Sequence, residues 1–128
     1  MLGNNCFESC INLKQLVLPD NLAIIGSSCF ENCKSLSEIK LTPNITTIKQ
    51  NTFYKCSSLK EIFIPSNLNS LGSYAFSSCH NLEKVIFQST HLYFLYTTFT
   101  NCKKMKLEIS LKTQGNQLNE NIYSFPCD

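Results

Sequence analysis

Residues 52–65 read TFYKCSSLKEIFIP, and nearly the same pattern occurs on both sides of this segment. Residues 29–42 read CFENCKSLSEIKLT, and residues 75–88 read AFSSCHNLEKVIFQ. In each segment a Phe is followed three residues later by a Cys, and three residues after that by a Leu. Phe30, Phe53 and Phe76 are each 23 residues apart, which indicates an internal repeat.

The 23-residue step holds along most of the chain and involves aromatic, sulfur-containing and aliphatic positions. The two clearest columns are Phe7, Phe30, Phe53, Phe76 and Phe99, and Cys10, Cys33, Cys56, Cys79 and Cys102. Leu or Ile residues recur with the same step, as in the series from Leu13 and from Leu22. Because so many columns stay in register, the sequence predicts about five repeating units.

Each unit has a readable local pattern. A Phe and a Cys three residues apart lie on one face of a short helical turn. The following stretch, LKEIFIP in residues 59–65, alternates apolar and polar residues as a half-buried strand does. One unit cannot bury its apolar face alone, but stacked units form a continuous core. We therefore predict a repeat solenoid with short parallel strands on its concave side, and short helical turns and irregular segments elsewhere.

The unit Leu-x-x-Ile-x-Ile-Pro…Gly-x-x-Ala-Phe-x-x-Cys resembles the BspA-like (Treponema pallidum-type) subclass of leucine-rich repeats. Residues 59–82 match it best, and the resemblance covers roughly residues 2 to 106. It implies an α/β-type leucine-rich repeat fold. It also implies kinship with surface or secreted adhesion proteins of bacteria and protozoan parasites, which bind host proteins or other cells.

The repeat pattern also sets the expected domain boundaries. Leu2 and Gly3 align with Ile25 and Gly26, so residues 1–106 form a solenoid that begins inside a repeat. We expect either a segment of a longer protein or a partly disordered first unit. Residues 107–128 are out of step, and we expect a degenerate C-terminal strand and cap or the start of a further unit.

The cysteine column has three interpretations. A buried free Cys packs as a small hydrophobic residue. Zinc needs four converging ligands, whereas a ladder spreads its thiols along a line, so we predict no metal site. Disulfides between adjacent units are compatible with the spacing, roughly 5 Å, although five ladder cysteines cannot all pair. Oxidation of adjacent ladder cysteines therefore stays open, and the out-of-register Cys127 is expected to be the most reactive thiol.

The outward-facing residues of the strands are the candidate ligand-binding surface. The middle residue of each Ile-x-Ile strand points away from the core, and an exposed apolar column usually indicates a partner. The predicted sheet-face site comprises Val17, Glu38, Lys40, Glu61, Phe63, Lys84 and Ile86. A solvated charged face or cover by neighbouring segments are the alternatives. Tyr93 and Tyr96 are a possible secondary contact, unless they pack under the C-terminal cap.

Composition excludes several other functions. The net charge is only +2 and all 11 basic residues are Lys, which argues against nucleic-acid binding. No run of 18 apolar residues and no signal-peptide pattern occur. His80 and His91 belong to different units, and no catalytic constellation stands out, so we predict no enzyme activity and no cofactor. The triplet at Asn44 is an N-glycosylation sequon, relevant only to a secreted protein.

These patterns together predict a protein–protein recognition module. We expect it to be the binding region of a cell-surface or secreted adhesin, as part of a longer protein. An intracellular, cytoplasmic leucine-rich repeat scaffold and a structural spacer without a ligand are the alternatives. Self-association through solenoid ends or sheet edges is a further possibility, because open edges invite pairing.

Overall fold

The computed structural model describes residues 1–88, 92–112 and 118–124. This part of the chain contains short strands and one 3-10 helix, Tyr96–Phe99. In chain order the strands are β1 (Gln15–Leu16), β2 (Ile24–Ile25), β3 (Glu38–Ile39), β4 (Thr47–Ile48), β5 (Glu61–Ile64), β6 (Ser70–Leu71), β7 (Lys84–Phe87), β8 (Tyr93–Phe94), β9 (Lys106–Lys112) and β10 (Leu118–Ser124). Each 23-residue unit, counted from its Phe, forms one coil, which we call a rung.

The first side of the solenoid is built from the odd-numbered strands. Strand β1 pairs with β3, and β5 pairs with β7, all in parallel and with the register of the repeat. Strand β9 continues this sheet in parallel, with Val85 opposite Leu107, a step of 22 residues instead of 23. Strand β10 then pairs antiparallel with β9. The out-of-step sequence after Met105 is thus absorbed by a one-residue shorter connection. Whether residues 107–128 act as a cap stays a prediction.

The second side is a parallel sheet that the sequence analysis did not predict. Strands β2, β4, β6 and β8 pair in that order, and Leu2 bridges to Ile25 ahead of them. Each of these strands has only two residues. Period-2 alternation needs four or more residues to be visible, so such strands leave no pattern to detect. The repeat solenoid is confirmed, but it carries parallel sheets on two sides and not one.

The expected short helical turns are turns of another kind. The amide of Cys33 donates to the carbonyl of Phe30 at 3.2 Å, as a helical turn would. However, Asn32 between them has φ of 60°, and left-handed backbone cannot continue a right-handed helix. The residues with positive φ form two columns, Asn5, Ser28, Asn51 and Tyr74, and Ser9, Asn32, Lys55, Ser78 and Asn101. Most are Asn or Ser, and Asn in particular tolerates this conformation.

Stacked phenylalanines run through the centre of the solenoid. The ring centroids of Phe7, Phe30, Phe53, Phe76 and Phe99 follow one another at 5.3, 5.3, 5.2 and 5.5 Å. Neighbouring rings are tilted by no more than 7°. The three inner rings are fully buried. The backbone is locked beside them, since the amide of Phe53 donates to the carbonyl of Ala75 in the next rung at 2.8 Å.

Truncating an inner ring should therefore be costly. We expect Phe53→Ala to lower the free energy of unfolding by about 3–5 kcal/mol, because the cavity lies between two other rungs and cannot collapse. Phe7→Ala is the matched control, since that ring is partly exposed and stacks on one neighbour only. Urea denaturation followed by circular dichroism measures both. Equal losses for the two variants would contradict a continuous ring stack.

Two glycines allow successive rungs to approach closely. A Cβ atom on Gly72 would lie 2.5 Å from the amide nitrogen of Gln50 in the preceding rung. A Cβ atom on Gly26 would lie 2.6 Å from the amide nitrogen of Asn4 in the same way. Both distances are shorter than real contacts allow, so the recurring Gly reflects backbone packing between rungs.

Gly72→Ala should destabilise the solenoid by about 1–3 kcal/mol, because backbone atoms must shift to admit the methyl group. Gly3→Ala is the control, since no atom lies within 4 Å of its added Cβ, and we expect a change within about 0.5 kcal/mol. Thermal or urea unfolding of the two variants provides the comparison. A Gly72 variant as stable as the Gly3 variant would show that the rungs have room.

Candidate binding surfaces

The ladder cysteines are part of the core and not a reactive site. Cys33, Cys56, Cys79 and Cys102 are fully buried. The thiol of Cys56 donates to the carbonyl of Phe30 in the preceding rung, with an Sγ–O distance of 3.2 Å, and the other three make the equivalent contact. All seven cysteines in the described residues are free thiols. Cys127 lies outside those residues.

Burial keeps these thiols protonated. It raises the pKa of Cys29 and of Cys33 from 9.0 to about 11, mainly because desolvation disfavours the thiolate. The pKa of Cys56 and that of Cys79 rise further for the same reason. The thiolate is the form that attacks electrophiles and binds metals, so the buried ladder is chemically inert near neutral pH. Among the described residues, no three His, Cys, Asp or Glu side chains converge as a metal site requires.

The raised thiol pKa values predict alkaline instability. Between pH 9 and about 11 the folded chain retains protons on Cys29 and Cys33 that the unfolded chain has released. The free energy of unfolding is therefore expected to fall as the pH rises through this window, and this contribution is fully present below it. Urea midpoints from pH 7 to 11 measure the slope. The Cys33→Ala variant, which has one fewer buried thiol, should show a shallower fall, and an identical slope would argue against this origin.

The predicted sheet-face residues do point outward. Strand β5 alternates exposed and buried residues, with Glu61 and Phe63 outward and Ile62 and Ile64 in the core. Val17 has an exposed fraction of 94%, and Phe63 one of 41%. Lys40 is exposed and Ile86 is partly buried. The apolar column is therefore accessible mainly at its first and third positions, Val17 and Phe63.

A groove lies across this face between rungs one and three. Its volume is about 580 Å³, and Val17, Lys40 and Phe63 are among the residues that line it. In the described part of the chain the strand ladder is interrupted between β3 and β5, and the groove crosses this interruption. The sequence analysis missed its other wall, which the residues after the strands provide. That wall includes Asp20, Pro43 and Ser66, which recur at the 23-residue step and follow the same strand pattern.

Charged residues border the apolar column. Glu38 lies opposite Gln15 in the strand register, and Glu61 lies opposite Lys84. Glu38 and Lys40 line the groove together with Asp20, whereas Glu61 and Lys84 do not. The structure therefore groups Val17, Glu38, Lys40 and Phe63 at one groove. It leaves Lys84 and Ile86 one rung farther along the same face.

Polar residues at the loop corners serve the solenoid itself. The side-chain amide of Asn44 donates to the carbonyl of Asp20 at 2.6 Å, and that of Asn67 donates to the carbonyl of Pro43 at 2.9 Å. Both are bonds to the preceding rung, 24 residues earlier. Asn44 thus has a structural role that explains its presence without glycosylation.

A second exposed cluster lies at the far end of the second sheet. The exposed fraction of Tyr93 is 81% and that of Tyr96 is 90%, so neither packs under other residues. Leu95 lies between them with an exposed fraction of 56%. A second groove of about 420 Å³ reaches Leu95 from strands β4 and β6, and its lining is mostly Ser, Thr and Gln. The sequence analysis singled out the two tyrosines but not this groove.

The described residues contain no helix long and apolar enough to cross a bilayer. Comparison with known structures shows the fold clearly. A leucine-rich cell surface protein from Faecalibacterium prausnitzii aligns with a TM-score of 0.81 and 29% identity, over 89% of this chain and 30% of that one. A leucine-rich repeat protein of T. pallidum aligns with a TM-score of 0.73 and 27% identity, over 81% of this chain and 49% of that one.

The pneumococcal vaccine antigen PcpA shares the fold, with a TM-score of 0.73 and 24% identity, over 88% of this chain and 28% of that one. This chain thus spans less than half the length of each of these three proteins. None of the curated protein sequences matches it significantly. The family model described as "BspA type Leucine rich repeat region (6 copies)" matches residues 1–125. With the repeat, the two-sided solenoid and this match in agreement, the chain belongs to the BspA-type leucine-rich repeat family.

Proposed function

We propose that this chain is a protein-recognition module of a cell-surface or secreted adhesin. The single observation that carries the proposal is the groove on the first sheet face, which exposes Val17 almost completely beside the half-exposed Phe63. Exposed apolar side chains grouped in a concave surface are typical of interaction sites. The solenoid does not need these two side chains for its own core.

The groove combines an apolar floor with polar edges. Val17 and Phe63 offer the surface that a partner would desolvate, and Glu38, Lys40 and Asp20 stand around it. Apolar anchors supply most of the affinity in such interfaces, while charges at the rim steer the partner and exclude wrong ones. We therefore assign affinity to Val17 and Phe63, and specificity to Glu38 and Lys40. Glu61, Lys84 and Ile86 extend the same face for a larger partner.

The family supports a surface location over the intracellular scaffold. A structural neighbour from F. prausnitzii is described as a cell surface protein, and the pneumococcal neighbour is a vaccine antigen. The fold itself is one that serves binding, since solenoids present extended faces and no catalytic arrangement is required of them. A pure spacer would have no reason to keep Val17 exposed in a groove, where a polar residue would serve solubility better.

The test is capture of surface proteins by the immobilised chain. Solubilised host-cell surface proteins are offered in one arm and cytosolic extract in the other, to wild type, Val17→Glu and Phe63→Glu. A buried glutamate opposite an apolar partner is expensive, so we expect at least about a tenfold loss of retained protein for each variant. Ile11→Glu is the matched control, because Ile11 has an exposed fraction of 51% but does not line the groove.

Each outcome has a distinct meaning. A surface protein retained by wild type and Ile11→Glu but lost by the groove variants supports the adhesin. A cytosolic partner with the same dependence supports the scaffold. Retention that survives both groove substitutions places the site elsewhere, and no retention in either arm favours a spacer.

A further inference from the structure

The second groove differs from the rest of the surface in how its polar side chains are used. Elsewhere, many polar side chains donate hydrogen bonds to the preceding rung, as Asn44, Thr52 and Ser37 do. In contrast, the hydroxyl groups of Thr47, Ser70 and Ser73 make no hydrogen bond within the part of the chain that the structure describes. These groups line the groove and remain available to a ligand.

The tyrosine end of this groove departs from the repeat. Tyr93 occupies the column of Thr47 and Ser70, and it is paired with Ser70 in the strand register. Tyr96 occupies the column of Ser27, Gln50 and Ser73. Both tyrosines replace small or polar residues, and both are almost fully exposed, so the core gains little from them. A change that adds two exposed aromatic rings at one place points to contact with another molecule.

The charge of the groove restricts what that molecule is. Lys49 is the only charged residue among the lining residues that the structure describes. Single-stranded nucleic acid needs a positively charged track beside its stacking rings, and one Lys is not such a track. An apolar protein anchor needs an apolar pocket, whereas this lining is dominated by hydroxyl and amide groups. A chain of neutral sugars has both a polar edge of hydroxyls and apolar C–H faces.

We propose that the second groove and its two tyrosines form a carbohydrate-binding site for a neutral glycan chain. Thr47, Ser70, Ser73 and Gln50 donate to and accept from sugar hydroxyls, since hydroxyl and amide groups do both. Tyr93 and Tyr96 cover the apolar faces of one or two further sugar rings. Gly72 in the groove floor lets the glycan approach the backbone. This site lies on the second sheet, and it is independent of the groove at Val17.

The probe is a printed array of neutral plant, microbial and mammalian oligosaccharides, with sialylated and sulfated glycans included. The strongest neutral glycan is then titrated by calorimetry. We expect the double variant Tyr93→Ala/Tyr96→Ala to weaken binding by about tenfold or more, because two stacking contacts are lost. Ser73→Ala should weaken it less. Val17→Glu should bind as wild type does, which separates this result from the adhesin test.

Unfolding midpoints of the tyrosine variant check that the fold is intact, and its exposed side chains predict no change. Neutral-glycan binding that depends on the tyrosines supports the proposal. It is overturned if wild type binds no neutral glycan, or if the tyrosine variant binds as tightly as wild type. Binding of acidic glycans alone, lost in Lys49→Ala, would show charge attraction instead. A protein captured through Tyr93 and Tyr96 would make this surface a protein interface.

Discussion

The structure depends on keeping one phenylalanine directly above the next. With ring centroids 5.2 to 5.5 Å apart, the stack fixes the distance between rungs close to the spacing of hydrogen-bonded strands. Strand pairing on both sides, thiol bonds and the glycine contacts all require that same spacing. A unit one residue longer or shorter loses register unless a loop absorbs the difference. This constraint explains why 23 residues recur with so little variation in the interior of each unit.

The stack also decides where variation is permitted. Positions that face the core repeat the same residue types, whereas outward positions differ from rung to rung, as Val17, Lys40 and Phe63 do. Such positions carry no load in the repeat, so their chemistry is free to serve binding. Because the rungs are rigidly spaced, residues far apart in sequence are placed side by side. Two grooves on two sheets are thus built without any dedicated loop insertion.

The sequence predicted the solenoid, the first set of strands and the core columns, because these features repeat five times and reinforce one another. It did not reveal the second sheet, since a two-residue strand such as Ile24–Ile25 has no period of its own. It misassigned the turns as helical, since Phe30 and Cys33 have helical spacing while the left-handed Asn32 between them breaks the helix. The Asn and Ser columns carried that information. The grooves depend on distances between rungs, which no single-rung pattern contains.

The hydrogen bonds that side chains make between rungs all run in one direction. Cys33 donates to Phe7, Asn44 to Asp20 and Thr52 to Gly26, so in each case the later rung donates and the earlier rung accepts. The two ends of the stack are therefore chemically different, one offering carbonyl acceptors and the other offering side-chain donors. A ribosome releases the acceptors first. Each new rung can dock on a completed template as it emerges, and the molecule can be assembled in the order in which it is synthesised.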